Sequence, residues 1–432
     1  MIITKMYKIF VFLLLTAAIS NISTAQIRIS SPYSRYGLGD IKTSHSTYAA
    51  AMGGISAALR HPNYINVNNP ASYTSFDTNS FVLDVGITST FNQVKTNLVT
   101  QDFTNHTSIG HVLFGFPVAR WCGISFGILP YSQSGYQVKT SDTIINSDDT
   151  FTESFKGSGG VNQAYIGVAF KPFKNFSFGA NLGYLFGTID KIVAIERPDD
   201  IFSFNTRVTN NEQVGGLYMN YGLQYQLLIK NKHLLSLGSK FNLPMNVGAK
   251  QTVLAERYSG LLEEDNISIK DTLLNIDGEK GKLHMPLIIG GGFTLLINNT
   301  WLAGADFEWQ NWKKYTSFGE SSTSVGNSYS IAVGGEYSPR ANTITSYWKL
   351  INYRAGLRYA QSYYEIRDKK INDLSFSIGA GFPLPKTRTT LNLAVEAGTR
   401  GTVRNDLLQE NYIRLVLGIS FREFWFFRPK LN

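Results

Sequence analysis

Residues that could carry out catalysis are few in this sequence, and their spacing completes no active site. Residues 123–127 read Gly-Ile-Ser-Phe-Gly, which matches the G-x-S-x-G pattern of an acyl-transfer serine on a turn between a strand and a helix. Here the pattern lies inside a run of alternating apolar residues, so we interpret it as part of a strand. A lipid-modifying enzyme is therefore our third hypothesis, and we expect the protein not to be an enzyme.

Histidine, cysteine and glycine give no metal, redox or phosphate chemistry either. The six histidines are scattered, and none forms the H-x-x-x-H or H-E-x-x-H spacing that ligates zinc. Cys122 is the one cysteine, so it has no partner for a disulfide or a Cys cluster. Glycine-rich stretches at 157–160 and 290–292 do not form a phosphate-binding loop. We expect neither a metal nor a cofactor.

The composition restricts the class of protein further. The 432 residues are 43% hydrophobic and 13% aromatic but only 16% charged, whereas an average soluble protein is about 25% charged. After residue 25 no stretch approaches the roughly 20 consecutive apolar residues of a membrane helix, and the aromatic content argues against disorder. The formal charge of +9 is scattered, so nothing predicts nucleic acid as a partner.

Residues 1–25 have the pattern of a signal peptide. Lys5 and Lys8 precede a short apolar stretch at 9–19, and Ser23-Thr24-Ala25 is a small-residue cleavage site. The alternative, a membrane anchor, is disfavoured because the stretch is too short to span a bilayer. The sequence therefore predicts an exported protein.

From about residue 79 onward, apolar and polar residues alternate. In 412–421, for example, one face is Ile413, Leu415, Leu417, Ile419 and Phe421, and the other is mixed or polar. Because side chains on a strand point alternately to opposite faces, such segments are two-faced strands.

A soluble β-sandwich would also alternate, but three features favour a membrane barrel. The segments reach the ~10 residues of a tilted membrane strand, their polar faces are rich in Gly, Ser and Asn, and aromatic residues cluster at strand ends as in interfacial girdles. These aromatic residues are Tyr131, Trp301, Trp309, Trp312, Tyr347, Trp348, Tyr363 and Tyr364.

Connections alternate between short and long, with seven long loops and six short turns, which implies fourteen strands. The longest predicted loops are 139–157, 189–212 and 251–281. The sequence thus predicts an all-β fold, a transmembrane antiparallel β-barrel of about 14 strands at 79–421, with both termini in the periplasm. Residues 422–432 are predicted to form a C-terminal periplasmic extension.

Residues 26–78 do not alternate and are rich in small residues, as in Ala49-Ala50-Ala51-Met52-Gly53-Gly54. They are too few and too apolar for an independent domain, and a periplasmic tail would be more charged. We therefore expect this part to fill the barrel as an N-terminal plug, or hatch.

The small-residue segment ending in Asn69-Pro70-Ala71, followed by about fourteen strands, resembles the FadL (FadL/TodX) family of outer-membrane transporters for long-chain fatty acids and other hydrophobic compounds. The opening at 33–37, Tyr-Ser-Arg-Tyr-Gly, and the ending at 425–430, Trp-Phe-Phe-Arg-Pro-Lys, are similar to the Bacteroidetes-type branch. That branch includes PorV-like proteins, partners of secretion machinery that are not known to move ligands.

The resemblance implies a gate and a side opening. The gating hatch would include Gly53, Gly54, Asn69, Pro70 and Ala71, with the Asn-Pro-Ala stretch near an inward kink in the third strand. That strand, from Trp121 to about Val138, would open sideways into the bilayer at Gly123, Gly127, Pro130 and Gly135, because proline lacks a ladder donor and glycine weakens strands. The alternative is that Pro130 simply ends the membrane-spanning part.

A fatty acid would also need apolar contacts and a cation for its carboxylate. Candidate ligand-binding residues are Phe151, Phe155, Phe202, Phe204, Arg354, Arg358 and Arg414. For the arginines, the alternative is ion pairing with acids such as Asp84, Asp306, Glu308 or Glu396.

Two functions remain open. The first is passive, hatch-gated uptake of fatty acids or other hydrophobic small molecules across the outer membrane of a Gram-negative bacterium. The second is a non-transporting barrel of the same fold that serves as a structural subunit or docking platform of an outer-membrane secretion or assembly complex. The expected partners are outer-membrane lipid, hydrophobic small molecules, and outer-membrane or periplasmic proteins.

Overall fold

The structure, a computed structural model, describes residues 31–42, 46–97, 100, 103–143, 149–197, 203–230, 232–262, 267–339, 346–385 and 387–424. The predicted signal peptide, residues 1–25, lies outside the described residues. So do Phe202 and residues 425–432 of the predicted C-terminal extension.

The strands close into one antiparallel barrel. They are β1 (Asp40–Ile41), β2 (Ser80–Lys95), β3 (Thr104–Ala119), β4 (Cys122–Thr143), β5 (Thr150–Phe173), β6 (Phe176–Glu196), β7 (Asn205–Ile229), β8 (His233–Asn242), β9 (Met245–Ser259), β10 (Ser268–Met285), β11 (Ile288–Ile297), β12 (Trp301–Gln310), β13 (Thr316–Ser317), β14 (Glu320–Ser321), β15 (Ser328–Tyr337), β16 (Asn352–Ile366), β17 (Lys369–Pro383), β18 (Thr390–Gly401) and β19 (Gln409–Phe424).

Fourteen of these strands span the membrane: β2 to β8, β11, β12 and β15 to β19. The barrel closes where β19 pairs with β2, from Gln409 opposite Lys95 to Phe424 opposite Ser80. β9 and β10 continue β8 and β11 beyond interruptions at Pro244 and Pro286, where proline offers no backbone donor. The predicted barrel of about 14 strands is confirmed.

The alternation in sequence corresponds to two faces of the wall. On β19, Ile413 and Ile419 are 43% and 50% exposed, whereas Tyr412 and Ser420 are 5% and 1% exposed. The apolar face is thus the outer one, and the face with small and polar residues is the inner one, as expected for strands that meet lipid on one side.

Three of the predicted long loops are instead mostly strand. β4 to β7, β9 and β10 continue through 139–157, 189–212 and 251–281 and form a tall sheet at the long-loop end of the barrel. Most residues of 268–280 are exposed on both faces of β10. Because neither face needs an apolar stripe there, the alternation that marks a strand in the sequence is lost, while the backbone still pairs.

Residues 31–76, hereafter the amino-terminal segment, lie inside the barrel. They contain a 3-10 turn at Pro32–Arg35, β1, the short helix α1 (Thr47–Ala50) and a second 3-10 turn at Pro70–Ser75. Three further 3-10 turns follow at Trp312–Lys314, Tyr347–Leu350 and Arg404–Asp406. None of the helices in the described ranges is long and apolar enough to cross a membrane.

Candidate functional site

The amino-terminal segment is fastened to the wall by side chains that bind its backbone. The Asp306 carboxylate on β12 accepts hydrogen bonds from the backbone N–H groups of Ser56 and Ala57 at 2.6 and 2.7 Å. From β7, the Gln224 amide donates to the Ala57 carbonyl at 3.0 Å. Hydrogen bonds to a charged group contribute about 1.5–3 kcal/mol each, so Asp306 is a major anchor of the segment.

Glycines on the inner wall let the segment's backbone lie directly on the strands. A Cβ atom on Gly356 of β16 would stand 2.2 Å from the Gly53 nitrogen, and one on Gly334 of β15 would stand 2.2 Å from the Met52 oxygen. Gly53 and Gly54 themselves have φ values of 68° and 85°, which only glycine adopts freely. The two predicted hatch glycines therefore form a turn packed against β15 and β16.

The Asn-Pro-Ala stretch anchors the second 3-10 turn. Asn69 caps this turn by accepting from the Ala71 N–H at 3.1 Å, and its amide donates to the backbone oxygens of Leu223 and Ser239 on β7 and β8. Contact with the third membrane strand, β4, is made further along, where a Cβ on Gly123 would lie 2.2 Å from the Tyr73 oxygen. Asn69 thus lies against β7 and β8 rather than against β4.

Arg354, one of three arginines predicted to bind a carboxylate, is instead held by the protein. Its guanidinium donates to Glu336 at 2.7 Å and to the Tyr64 hydroxyl at 3.0 Å, and it lies over the Tyr48 ring at 4.5 Å. Because Tyr48 and Tyr64 belong to the amino-terminal segment, this arginine joins the wall to the segment. It has no free face for a ligand.

The other two arginines differ from each other. Arg414 donates to Glu396 at 2.8 Å, as the ion-pair alternative predicts. Arg358 lines a cavity in the lumen and forms no ion pair or side-chain hydrogen bond with a described residue.

The predicted phenylalanines do not lie with these arginines. Phe151 and Phe155 lie on β5, and the Arg35 guanidinium covers the Phe155 ring at 3.7 Å. Phe204 is 56% exposed just before β7. None of the three lines the lumen cavity that Arg358 lines, so the described phenylalanines and arginines do not build one apolar ligand site.

An aromatic layer, hereafter the cap, fills the lumen at the long-loop end. Trp312 stacks on Tyr363 with ring centroids 4.5 Å apart, Tyr363 contacts Tyr364 at 4.4 Å, and Tyr33 of the segment stacks on Tyr364 at 6.1 Å. All four rings are at most 5% exposed and belong to the largest apolar cluster of the described residues. The cap therefore packs Tyr33 of the segment against residues of the wall at this end of the barrel.

Below the cap lies a cavity of about 140 Å³ whose walls are charged. Asp40 of the segment and Arg400 pair at 2.8 Å, and Arg400 also contacts Asp373 at 3.3 Å. Burial opposes the charge on Asp40, but Arg400 and Lys42 outweigh it and lower its pKa. Burial, together with Arg414, lowers the pKa of Lys42 to about 8. Charged side chains are therefore part of the lining of this cavity.

The wall next to this cavity contains a seam, defined as the line between β3 and β4 beyond Ile128. β3 pairs with β4 only as far as Val112 opposite Ile128, and Pro130 follows two residues later. Beyond it, β1 takes the place of β3, with Asp40 opposite Gln133. On its other side β4 stays paired with β5, with a register shift between Pro130 and Ser132.

The four residues predicted for a side opening lie at different positions relative to the seam. Gly123 and Gly127 are within the part of β4 that pairs with β3. Pro130 stands where that pairing ends, and the Gly135 N–H donates to the Ser34 hydroxyl at 3.0 Å. The amino-terminal segment thus covers the seam from inside the barrel.

Several residues that build the site carry no signal in the sequence. Asp40 and Lys42 are isolated charges in a segment of small residues, and the strand pattern around Asp306 predicts only a partner for an arginine. Its two backbone donors could not be found from spacing because they lie about 250 positions away. Among the described residues, no group of three or more His, Cys, Asp or Glu could hold a metal ion.

Comparison with known proteins gives one family and one fold. The family model described as BamG matches residues 6–432. No curated protein sequence matches the chain significantly.

Solved structures of similar shape are outer-membrane channels. The toluene transporter TodX of Pseudomonas putida is 15% identical, with 90% of this chain and 100% of that chain covered and a TM-score of 0.56. A Pseudomonas aeruginosa FadL homologue is 13% identical with the same coverage and a TM-score of 0.57. CymD, a monoaromatic hydrocarbon channel, is 12% identical over 88% of this chain and 97% of that chain, with a TM-score of 0.57. At these identities the likeness shows a shared FadL-like fold.

Proposed function

The chain belongs to the BamG family and has a FadL-like outer-membrane barrel, and from this premise we propose that it serves as a closed structural subunit or docking platform of an outer-membrane assembly complex. The observation that carries the proposal is the filled lumen. The cap packs across one end, the amino-terminal segment lies against the inner wall, and charged side chains line the cavity below the cap.

Two physical arguments support a closed barrel over an open channel. Withdrawing the segment would break the two hydrogen bonds to Asp306 and the contacts of Arg354 with Tyr48 and Tyr64. Hydrogen bonds to a charged group contribute about 1.5–3 kcal/mol each. An apolar molecule in the cavity would also displace water from the charged side chains without replacing the hydrogen bonds of that water, which is costly. The family name BamG favours the same alternative.

Purification of the tagged full-length chain from its native outer membrane tests the proposal, with proteins and lipids identified from the same sample. We expect other outer-membrane or periplasmic proteins at fixed stoichiometry. Recovery of the chain alone, with a bound hydrophobic small molecule, would contradict it.

A variant with a disulfide between the segment and the wall separates the docking platform from a hatch-gated channel. A Cβ on Gly418 of β19 would lie 3.0 Å from the Cβ of Thr47 in α1, close to the roughly 3.5–4.5 Å of a disulfide. Oxidised T47C/G418C should therefore hold the segment to the wall, and T47C alone is the control. A docking platform keeps its partners after oxidation, whereas a channel that needs the segment to move loses uptake.

A second candidate function is passage of hydrophobic small molecules through the seam. It is favoured by the end of β3–β4 pairing at Ile128 and by the shared fold with TodX. Uptake of toluene or a long-chain fatty acid by cells that depend on this barrel would support it, and uptake unchanged by the oxidised lock would count against a moving hatch.

A further inference from the structure

Three lysines lie together on the outer face of the wall near the long-loop end. Val247 of β9 and Leu283 of β10 are buried in the apolar cluster that contains the cap, so the alternate residues of these strands point outward. They include Lys250 on β9 and Lys280 and Lys282 on β10, hereafter the lysine cluster. Lys250 stands directly opposite Lys280, although like charges on facing positions of two strands are unfavourable.

The acids nearest along the strands do not join the lysine cluster. None of the three lysines forms an ion pair or a side-chain hydrogen bond with a described residue. Asp190 and Asp277 stand one pair farther along the sheet, level with Thr252. Glu279 lies opposite Gln251, which the alternation turns to the other face. The outer surface at the lysine cluster therefore presents a field of one sign, which attracts anions.

The lysine cluster begins where the apolar outer face of the barrel ends. On β6 the outward residues Tyr184 and Phe186 are 48% and 38% exposed, and the next outward residue is the polar Thr188. Thr188 pairs with Gln213, which pairs with Lys250, so this lysine stands one pair beyond the last apolar row. Because aromatic side chains mark the interface between membrane and water, the lysines lie at the height of lipid headgroups.

Glycines beside the lysine cluster leave the backbone of the outer face uncovered. Lys282 stands opposite Gly248 of β9, and a Cβ atom on Gly248 would meet only backbone atoms of Gly215 within 4 Å. The Tyr184 hydroxyl lies 3.1 Å from the position of a Cβ atom on Gly215. The surface between Tyr184 and the lysines is thus open, with a hydroxyl group on one side and cations on the other.

From this arrangement we propose that the lysine cluster binds the phosphate-bearing headgroup of a lipid of the outer leaflet. The long-loop end of an outer-membrane barrel faces the exterior, which places these lysines at the outer leaflet. Lysine binds phosphate as a point charge, and the apolar wall beside the cluster, at Phe186, would contact the acyl chains. A soluble acidic partner would need no apolar wall at this height. The site lies outside the lumen and does not depend on the proposed docking function.

Purification of the full chain from its native outer membrane in mild detergent, followed by mass spectrometry of the extracted lipid, tests the site. We expect the wild type to retain a phosphate-bearing lipid of the outer leaflet. In K250Q/K280Q/K282Q, retention should fall about tenfold or more, because each lysine beside the membrane adds to the attraction of anionic lipid. K250R/K280R/K282R keeps the three charges and should retain the lipid.

The matched control is K174Q/K230Q/K232Q, which removes three exposed lysines from the short-turn end and should retain the lipid as the wild type does. Heat-dependent gel mobility reports the folded barrel in every variant. Lipid-free wild type should rebind the purified lipid, but not the same lipid after enzymatic removal of its phosphate.

Four results would overturn the proposal. They are equal retention by K250Q/K280Q/K282Q and the wild type, an equal loss in the control, equal rebinding of the dephosphorylated lipid, and retention of an acidic protein through the lysine cluster in place of lipid.

Discussion

Replacing Asp306 by alanine should release the middle of the amino-terminal segment while the barrel stays closed. In the wild type one carboxylate oxygen accepts from the Ser56 and Ala57 N–H groups at 2.6 and 2.7 Å, and Asp306 is 9% exposed. Each buried donor left without a partner costs about 1–3 kcal/mol. The two together should weaken docking of the segment by about 2–6 kcal/mol.

Amide hydrogen exchange of residues 46–60, followed by mass spectrometry, measures this release. Since 1.4 kcal/mol corresponds to a factor of ten, exchange in D306A should be about thirtyfold to about twenty-thousandfold faster, with exchange of β12 to β19 unchanged. D306N keeps a neutral acceptor and should fall between D306A and the wild type. D277A, on the exposed part of β10, is the control.

The reasoning would be refuted if residues 46–60 exchanged as slowly in D306A as in the wild type while both barrels remained folded. That result would mean that packing alone holds the segment. Equal acceleration in D277A would instead show a general loosening without any special role for Asp306.

Three further changes probe the same segment. Gly356→Ala puts a Cβ 2.2 Å from the Gly53 nitrogen and should displace the segment, which new protease cleavage within the segment would detect. Gly291→Ala is the control, because its Cβ meets the nearest atom at 3.6 Å, and it should leave the segment in place. Burial lowers the pKa of His61 to about 4. The released segment therefore binds more protons than the docked segment does, and docking should weaken as pH falls from about 6.5 to 4. In H61Q, amide hydrogen exchange of the segment should lose this pH dependence. Arg354→Met leaves Glu336 buried and unpaired and should cost about 3–5 kcal/mol of unfolding free energy in urea, much of it recovered in R354M/E336L.

The membrane-spanning strands could be predicted from the sequence because one face of each strand meets lipid and the other faces the lumen. These two environments impose a period of two on the side chains. On β19 every second residue must face lipid, so Ile413 to Phe421 shows the pattern without interruption. At the long-loop end that constraint disappears, and the strands through 139–157 and 251–281 look like loops in the sequence. Backbone pairing alone leaves no period in the side chains.

The site was less predictable because its contacts join distant parts of the chain. Arg354, Arg358 and Arg414 occupy equivalent inner-wall positions in the sequence pattern, yet their partners differ. Arg354 contacts Glu336 and two tyrosines, Arg414 pairs with Glu396, and Arg358 lies near Glu308 and Glu396 without a direct ion pair to a described residue. Which arginine meets which acid depends on register across several strands and on the path of the amino-terminal segment. Neither is encoded in local spacing.

The seam and the segment form one structural unit. β4 loses β3 as a neighbour after Ile128, and its backbone groups are then bound by the segment, through β1 and through the Lys42 N–H, which donates to the Tyr131 oxygen at 3.0 Å. Opening the seam to the bilayer therefore requires that β4 lose a second partner, and withdrawing the segment leaves an unpaired strand edge in the wall. Because exposed edges in a membrane are costly, the two movements are coupled. The same few residues of β1 and β4 thus hold both the seam and the amino-terminal segment closed. This favours a wall that stays shut.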